Sequence, residues 1–217
     1  MDNKRGWFIT FEGPEGSGKS TQCRMLIDFL TAKAVPAVLT REPGGTDIGQ
    51  QIRKIILDPQ NKTLTPCTEL LLYFADRAQH VAEYIRPELA KGTIVISDRY
   101  TDATWAYQGY GRGLDRKAIK FLNAFTTERL RPDITFLLDV NLEKGLDRAR
   151  TNKSEFAVQG LGDRIEREPV DFYHKVMAGY RSLMKKERSR FVYISGEDTI
   201  DAIHARIVEA LRERGVL

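Results

Sequence analysis

FITFEGPEGSGKST, residues 8–21, is the part of the sequence that decides the fold. Its first five residues are mostly apolar or β-branched and predict a buried strand. The next eight match the G-x-x-x-x-G-K-S pattern, which binds nucleotide phosphates when it joins a strand to a helix. Backbone N–H groups of such a loop surround phosphate oxygens, and the helix dipole favours the anion. The predicted phosphate-binding residues are Gly13, Pro14, Glu15, Gly16, Ser17, Gly18, Lys19, Ser20 and Thr21.

Two side chains of this loop have predicted chemical roles. Lys19 would contact the β- and γ-phosphates of ATP, and the Ser20 hydroxyl would bind Mg²⁺. A glycine-rich turn that only begins a helix is the alternative interpretation. The position of the pattern between a predicted strand and a predicted helix argues against that alternative.

Strand and helix patterns alternate along the rest of the chain, and no linker or repeat divides it. This alternation predicts one domain, residues 1–217, of the P-loop NTPase type: a three-layer α/β/α fold whose five-stranded parallel sheet has helices on both faces. Ligands would bind beyond the carboxyl ends of the strands. The predicted strands are Trp7–Phe11, Ala37–Thr40, Thr93–Ser97, Ile134–Asp139 and Phe191–Ile194, and the predicted helices include Thr21–Lys33, Thr68–Ala90, Arg116–Thr127 and Val170–Lys186.

Composition excludes several classes of protein. With 41% apolar and 29% charged residues, the chain has the composition of a globular domain. It has no apolar run long enough for a membrane span and no signal-peptide core at its polar start, so we expect a cytoplasmic location. The net charge of +4 is spread among acidic residues, which disfavours a nucleic-acid partner and fits anionic nucleotide ligands. Cys23 and Cys67 lack disulfide or metal-site spacing and are predicted to be buried thiols.

The third predicted strand ends in Asp98-Arg99-Tyr100. Here Asp98 could hold a magnesium-bound water, and Arg99 could bridge the donor and acceptor phosphates in the transition state. A solvated salt bridge at the strand end is the alternative interpretation. The chain lacks the Asn/Thr-Lys-x-Asp segment by which a GTPase recognises guanine, and a motor ATPase would usually end this strand in two acidic residues. The pattern therefore favours a kinase that acts on a small acceptor.

Four segments, taken in order, make the chain similar to the thymidylate kinase family over nearly its whole length. They are FEG at 11–13, TREPGGT at 40–46, YFADRAQH at 73–80, and 98–109, which begins DRY and ends AYQG. The resemblance implies a phosphotransferase with a phosphate group as acceptor, which transfers the γ-phosphate of ATP to dTMP for dTTP synthesis, with Mg²⁺ as cofactor. It also implies a homodimer, to which the Thr68–Ala90 helix could contribute.

The resemblance assigns recognition of thymine to Phe74 and Arg77. Phe74 would stack on the ring, and Arg77, one helical turn later, would donate hydrogen bonds to the base. Core packing is the alternative for Phe74, but a buried arginine is costly without a partner or ligand, so the pair is interpreted as a site. A separate apolar stripe already predicts a core face: Leu71, Ala75, Ala78 and Ala82.

The remaining acceptor residues also follow from the resemblance. Tyr107 would pack under the sugar and exclude a 2′-hydroxyl, whereas Thr104 and Gln108 would face the base edge unless they only decorate a surface helix. Glu12 would lie near the 3′-hydroxyl. Arg41 would approach the acceptor phosphate, unless it forms only a surface pair. The predicted dTMP-binding residues are Glu12, Arg41, Phe74, Arg77, Arg99, Thr104, Tyr107 and Gln108.

Transfer to a phosphate acceptor requires that water be excluded and that extra positive charge reach the γ-phosphate. Because the loop has Gly16 where some relatives have an arginine, the chain resembles the bacterial type, whose lid supplies that cation. Residues 151–162 are the predicted lid. Gln159 stands where bacterial relatives usually have an arginine, so the cation is assigned to Arg164 in the DRIE signature, 163–166. Arg150 and Lys153 are the alternatives.

Two rival functions belong to other classes. A deoxynucleoside kinase would share the loop and the acid–arginine pair, but its hydroxyl acceptor would not require arginines around an acceptor phosphate. A P-loop ATPase or nucleotide switch that binds a protein partner would hydrolyse ATP whatever small acceptor is present. Neither rival accounts for the acceptor-side segments.

Overall fold

The computed structural model describes residues 5–151 and 163–217. Its five-stranded sheet is parallel throughout and has the strand order β2-β3-β1-β4-β5. The predicted α/β/α fold is therefore confirmed, and each predicted strand lies within two residues of an observed one. The strands are β1 Phe8–Glu12, β2 Ala37–Arg41, β3 Ile94–Asp98, β4 Ile134–Asp139 and β5 Phe191–Ser195.

The helices lie on both faces of this sheet. Threonine side chains cap three of them, since Thr46, Thr65 and Thr199 each accept a backbone N–H in the first turn of the helix that follows. Two π-helical turns, Val81–Ile85 and Trp105–Gly111, extend α3 and α5. The helices are α1 Lys19–Ala32, α2 Asp47–Leu57, α3 Pro66–His80, α4 Arg86–Ala90, α5 Thr101–Thr104, α6 Arg116–Thr126, α7 Leu142–Thr151, α8 Val170–Lys186 and α9 Ile200–Glu213.

The core has a layer on each face of the sheet. Leu26 of α1 and Ile207 of α9 pack with Phe11 on one face, and Val176 of α8 packs with Leu137 on the other. All five residues of β1 are buried because this strand is central and covered on both faces. The carboxyl end of β1, where the phosphate loop begins, is therefore held rigidly.

The predicted apolar stripe on the third helix is wrong. Leu71 is 52% exposed, whereas Leu70, Phe74, Arg77 and Val81 face the interior. These four positions are spaced by three or four residues, so they form the inner face of a helix. The shift of one residue rotates the buried face by about 100° and changes which aromatic residue can reach a ligand.

Two further sequence-based expectations concern parts outside the core. Cys23 is buried as predicted, but Cys67 is exposed because it lies in the first turn of α3 at the surface. The predicted lid, 151–162, lies outside the described residues except for Thr151, at which α7 ends. None of the helices between residues 5 and 151 or between 163 and 217 has the length and apolar character that a bilayer crossing requires.

Candidate active site

A large cavity of about 1140 Å³ opens beyond the carboxyl ends of the strands. Residues 15–24, which end the phosphate loop and begin α1, form its floor. From there the cavity extends in two directions. One arm, called the acceptor arm, is lined by residues 39–45, Arg53, Tyr73, Ala103, Tyr107 and Gln108. The other is lined by Arg148, Ala149, Gly196, Asp198, Thr199, Ile200 and Ile203.

The phosphate loop is closely packed from behind. A Cβ atom at Gly16 would lie 1.9 Å from the carbonyl oxygen of Gly145, so α7 leaves room only for glycine. Lys19 donates to the Pro14 carbonyl over 2.6 Å and to Ser17 Oγ over 3.3 Å. Burial, with the nearby charge of Arg99, lowers the pKa of Lys19 to about 8. A bound polyphosphate would add an anionic partner that favours the charged form of this ammonium group.

The Ser20 hydroxyl donates to Asp98 Oδ2 over 2.5 Å. This contact places two hard oxygen donors beside the phosphate loop, one from α1 and one from β3. Within residues 5–151 and 163–217, no group of three or more His, Cys, Asp or Glu side chains could hold a metal ion by itself. Two protein oxygens nevertheless fit Mg²⁺, which keeps several waters and takes most of its other ligands from the substrate phosphates.

Arg99 is the central cation of the cavity. Its guanidinium donates to the Gly13 carbonyl over 3.0 Å, to Glu15 over 2.7 Å, and to the hydroxyls of Tyr107 and Tyr180 over 3.2 Å each. The backbone of Arg99 has a φ of +73°, in the left-handed region that non-glycine residues rarely adopt. Such strain is often found at functional sites, and here it turns the side chain from the end of β3 toward the phosphate loop.

The acidic role near the 3′-hydroxyl, predicted for Glu12, involves two residues in the structure, Glu12 and Glu15. Glu12 is fully buried behind the cavity, where it accepts from Tyr180 Oη and from the Tyr100 N–H, each over 2.8 Å. Burial, with the nearby Asp102 carboxylate, raises the pKa of Glu12 to about 8. Glu15 instead lines the cavity and accepts from Tyr107 Oη over 2.5 Å. The acid that faces the acceptor arm is therefore Glu15, and Glu12 does not reach the cavity wall.

Of two neighbouring aromatic residues on α3, Tyr73 lines the cavity and the predicted Phe74 does not. Phe74 is 2% exposed and packs with Leu70 and Ile119, so it is part of the core. Tyr73 lines the acceptor arm. The prediction for Phe74 is wrong because the buried face of α3 lies one residue away from the predicted apolar stripe.

Arg77 is buried as part of a charged network and does not line the cavity. Its Nε donates to Glu42 over 2.8 Å, its Nη2 to the Tyr100 carbonyl over 3.1 Å and its Nη1 to Asn123 over 3.2 Å. His80 Nδ1 lies 3.0 Å from the second oxygen of Glu42. Since Glu42 lines the cavity, Arg77 supports the cavity wall from behind.

The helical segment after β3 carries the other predicted acceptor residues. Tyr107 and Gln108 line the cavity, and Tyr107 lies beneath the guanidinium of Arg99, with 4.9 Å from Arg99 Cζ to the ring centre. Gln108 Nε2 donates to Glu69 over 2.8 Å. The hydroxyl of Thr104 is buried and has no hydrogen-bond partner among the described residues. Such a buried polar atom is costly unless a ligand satisfies it.

Two arginines stand at the far end of the acceptor arm. Arg41, the last residue of β2, is exposed and lines the cavity as predicted. Arg53 of α2, which no sequence motif singles out, also lines it. Burial, with the nearby charge of Arg41, lowers the pKa of Arg53. Two cations held this close form a natural site for an anion.

Arg164 does not occupy the position predicted for a catalytic cation. Its Nε donates to the Ile56 carbonyl over 2.7 Å and its Nη2 to Glu69 over 2.6 Å, and it does not line the cavity. Both partners lie at the ends of helices, so Arg164 ties the segment after the predicted lid to α2 and α3. Its neighbours Asp163 and Glu166 do line the cavity, as does Arg148 of α7.

The second arm of the cavity is suited to a flat apolar ligand. Gly196, Thr199, Ile200 and Ile203, which follow β5, form its wall. Gln22 donates to the Ile200 carbonyl over 2.8 Å and so joins this wall to the helix that begins at the phosphate loop. An adenine ring would fit this arm once the phosphates lie in the loop.

Comparisons with known proteins agree on one family. The thymidylate kinase family model matches residues 11–207. The thymidylate kinase of Geotalea daltonii is 47% identical over 206 residues, which are 95% of this chain and 96% of that protein. The thymidylate kinase of Halothermothrix orenii is 46% identical over 96% of this chain and 97% of that protein. A crystal structure of thymidylate kinase from Ehrlichia chaffeensis has a TM-score of 0.77 and 34% identity, covering 96% of this chain and 99% of that one.

Proposed function

This chain belongs to the thymidylate kinase family and phosphorylates dTMP, and from that premise we propose how its cavity is divided between the two substrates. ATP occupies the arm lined by Gly196, Thr199, Ile200 and Ile203, with its phosphates in the loop. The dTMP molecule occupies the arm formed by β2, α2, α3 and the segment after α5. The γ-phosphate of ATP and the phosphate of dTMP meet at the guanidinium of Arg99.

The donor side works by holding the polyphosphate in place. The loop N–H groups and Lys19 bind the β- and γ-phosphates, and the charged form of Lys19 regains stability once the anion is bound. Ser20 and Asp98 would hold Mg²⁺, whose chemical contribution is to neutralise charge on the β- and γ-oxygens when it is bound. The observation that supports this assignment is the 2.5 Å contact between the two side chains at the end of the loop.

On the acceptor side, arginines bind the phosphate of dTMP. Arg53 and Arg41 hold the non-reacting oxygens, and Arg99, held in place by Glu15, donates to the oxygens that bear developing negative charge. Catalysis then consists of alignment and charge neutralisation, without a protein nucleophile. The arginine positions support this proposal because Arg41, Arg53 and Arg99 all line the arm in which the acceptor phosphate would lie.

Recognition of the nucleoside uses residues that line the same arm, together with the buried hydroxyl of Thr104, which does not line it. Tyr73 stacks on the thymine ring, in place of the predicted Phe74. Thr104 and Gln108 hydrogen-bond the base edge, and Tyr107, held by Glu15 and Arg99, fills the space that a 2′-hydroxyl would need. Arg77 and Glu12 lie behind the cavity wall, where Arg77 holds Glu42 and Glu12 holds Tyr180 in place by hydrogen bonds.

One observation carries the proposal: the phosphate loop and the cluster of Arg41, Arg53 and Arg99 open into the same cavity. The experiment that tests it measures ADP release with Mg²⁺ and ATP for dTMP, dUMP, UMP, CMP, AMP and thymidine. We expect strong preference for dTMP and little turnover of thymidine. Turnover of thymidine alone, or ATP hydrolysis that ignores every acceptor, would contradict the assigned acceptor arm.

Three further expectations stay predictions from the sequence. The 151–162 segment is proposed to act as the lid, and Arg148 replaces Arg164 as the described cation best placed to approach the γ-phosphate. The chain is proposed to form a homodimer through α3 and α6, where Leu71, Phe121 and Phe125 are exposed. A cytoplasmic location and the absence of a nucleic-acid partner rest on composition alone.

A further inference from the structure

Glu69 lies outside the cavity but is in contact with one of its walls. It is 1% exposed, in the first turn of α3, and its two oxygens are bound by donors from three side chains. Arg112 donates to both oxygens over 3.1 Å, Arg164 donates to Oε2 over 2.6 Å, and Gln108 Nε2 donates to Oε1 over 2.8 Å. Of these three partners, Gln108 is the one that lines the cavity.

The protonation state of Glu69 determines which half of the Gln108 amide faces it. Burial raises the pKa of Glu69, but hydrogen bonds and charge from Arg112, with Gln108 and Arg164, outweigh burial and leave the pKa below its usual value. An ionised carboxylate can only accept hydrogen bonds. Gln108 must therefore turn its NH₂ group toward Glu69, as the 2.8 Å contact shows.

The same argument determines where the carbonyl oxygen of Gln108 points. Gln108 has no other side-chain hydrogen bond among the described residues, so its carbonyl oxygen is the group that remains for a ligand. A carbonyl only accepts hydrogen bonds. Thymine carries a hydrogen-bond donor at N3, whereas cytosine has an acceptor at that atom and an amino group at C4. A carbonyl directed at this edge favours thymine and opposes the N3 lone pair of cytosine.

We propose that Glu69 is a positioning residue for base specificity: it fixes the Gln108 amide so that the enzyme presents an acceptor, and not a donor, to the nucleobase. This inference rests on the proposed placement of the base against Gln108. Glu69 touches neither substrate and acts only through its hydrogen bond to that side chain.

A Glu69→Gln substitution should reverse the amide. Arg112 and Arg164 carry only donors, so they take the single acceptor of the new side chain and leave its NH₂ group facing Gln108. The Gln108 carbonyl then turns inward and its NH₂ group turns to the cavity. We expect the ratio of kcat/KM for dTMP to that for dCMP to fall about 10- to 100-fold, as when a buried hydrogen bond is mismatched.

The matched control is Glu168→Gln. Glu168 accepts from the same Arg112 over 2.5 Å but has no contact with Gln108. The identical change there should leave the dTMP to dCMP ratio as in the wild type. If Glu69 had a purely structural role, Glu69→Gln would lower kcat/KM equally for dTMP and dCMP. An unchanged ratio would therefore overturn the inference.

A third variant separates this inference from the function on which it rests. Gln108→Leu should collapse the ratio, and adding Glu69→Gln to Gln108→Leu should change it no further. If Gln108→Leu leaves the ratio intact, the base does not lie against Gln108 and the proposed acceptor arm is wrong. If Gln108→Leu collapses the ratio but Glu69→Gln does not, only the inference about Glu69 fails.

A measurement on the wild-type protein removes any dependence on variant folding. In a ¹H–¹⁵N NMR spectrum, the side-chain amide of Gln108, assigned from its loss in Gln108→Leu, should exchange slowly with water because it is bonded to a buried carboxylate. Rapid exchange of both amide protons would show that the NH₂ group faces the cavity and would overturn the inference.

Discussion

Arg99 and Glu15 form an ion pair of 2.7 Å across the junction of the two substrate arms. One partner follows strand β3, and the other belongs to the phosphate loop. Both are largely shielded from water, so the pair holds the guanidinium where the two phosphate groups would meet. The preorganisation is useful in catalysis because the cation need not be ordered at the moment of reaction.

The first prediction concerns this arginine. Arg99→Ala should lower kcat about 100- to 1000-fold, the usual loss when one preorganised donor to a developing charge is removed. Arg99→Lys should recover part of the loss, since it keeps the charge but not the planar array of donors. Steady-state ADP release at saturating dTMP and ATP measures both effects.

The control for Arg99 is Arg212→Ala. Arg212 pairs with Glu209 on the exposed side of α9, away from the cavity, and its loss should leave kcat as in the wild type. Near-normal turnover of Arg99→Ala would remove this residue from the transition-state contacts.

The second prediction separates two adjacent aromatic residues. Tyr73→Ala should raise KM for dTMP about 10- to 100-fold, because one base-stacking contact contributes about 1–3 kcal/mol. Its KM for ATP should change little. Phe74→Ala should instead lower the free energy of unfolding by about 3–5 kcal/mol, as large-to-small changes in a core do. Enzyme kinetics and chemical denaturation of both variants measure this contrast, and the opposite pattern would restore Phe74 as the stacking residue.

The fold followed from the sequence because its main signals are periodic and redundant. The phosphate loop marks the end of β1, and the apolar runs of the other strands are separated by helical patterns of crossover length. Helix α2 was not among the predicted helices, although Thr46 and Asp47 form a helix-start signal. Its apolar positions also recur at helical spacing, as they do in α6, so the cap and the period together could have predicted it.

The site was predicted well at the level of segments and less well at the level of single residues. The errors at Phe74 and Glu12 have a common cause: each choice lay one to three residues from a second aromatic or acidic residue. One step along α3 turns a side chain by about 100°, and Glu12 ends a buried strand whereas Glu15 lies in the loop that follows it. Each choice therefore depends on packing that no local pattern encodes. Arg53 was missed for a related reason, since an arginine in a polar helix has no local sign that it faces a cavity.

The third prediction concerns Mg²⁺. Chelation with EDTA should abolish turnover, and Asp98→Asn should raise the Mg²⁺ concentration for half-maximal activity about 10- to 100-fold, because it weakens a group that orients metal ligands. The measurement is a Mg²⁺ titration of activity at fixed ATP and dTMP. An unchanged midpoint in Asp98→Asn would exclude this carboxylate from the metal site.

The fourth prediction tests the proposed homodimer. Phe121 and Phe125 of α6 are 68% and 74% exposed and stack on each other with ring centres 6.3 Å apart. A pair of exposed aromatic rings is a typical core for a protein interface. Phe121→Asp with Phe125→Asp should convert a dimer to a monomer in analytical ultracentrifugation. Val170→Asp, on α8, is the control and should leave the mass unchanged; a monomeric wild type would contradict the proposal.

The last prediction concerns Asp76, a buried carboxylate that contacts the backbone of Gly44 in the wall of the acceptor arm. Asp76 Oδ1 accepts from the Gly44 N–H over 2.8 Å, whereas its Oδ2 is buried without a partner among the described residues. Burial, with the nearby charge of Glu42, raises the pKa of Asp76 to about 7, although Arg77 and His80 act in the opposite direction. An amide at this position would keep the acceptor for Gly44 and would not titrate.

The pKa of Asp76 in the unfolded chain is about 3.9, so between that value and about 7 the folded state binds more protons than the unfolded state. The stabilising contribution of the protonated carboxyl is complete below the unfolded pKa and is lost as pH rises through the folded pKa. The free energy of unfolding of the wild type, relative to Asp76→Asn, should therefore fall by up to about 3 kcal/mol from pH 5 to pH 8. Urea denaturation of both proteins across that range measures the difference, with Asp115→Asn as the control, since Asp115 is an exposed carboxylate that also accepts a backbone N–H. A difference between wild type and Asp76→Asn that does not change with pH would mean that Asp76 is already ionised in the folded protein and that its second oxygen has found a donor.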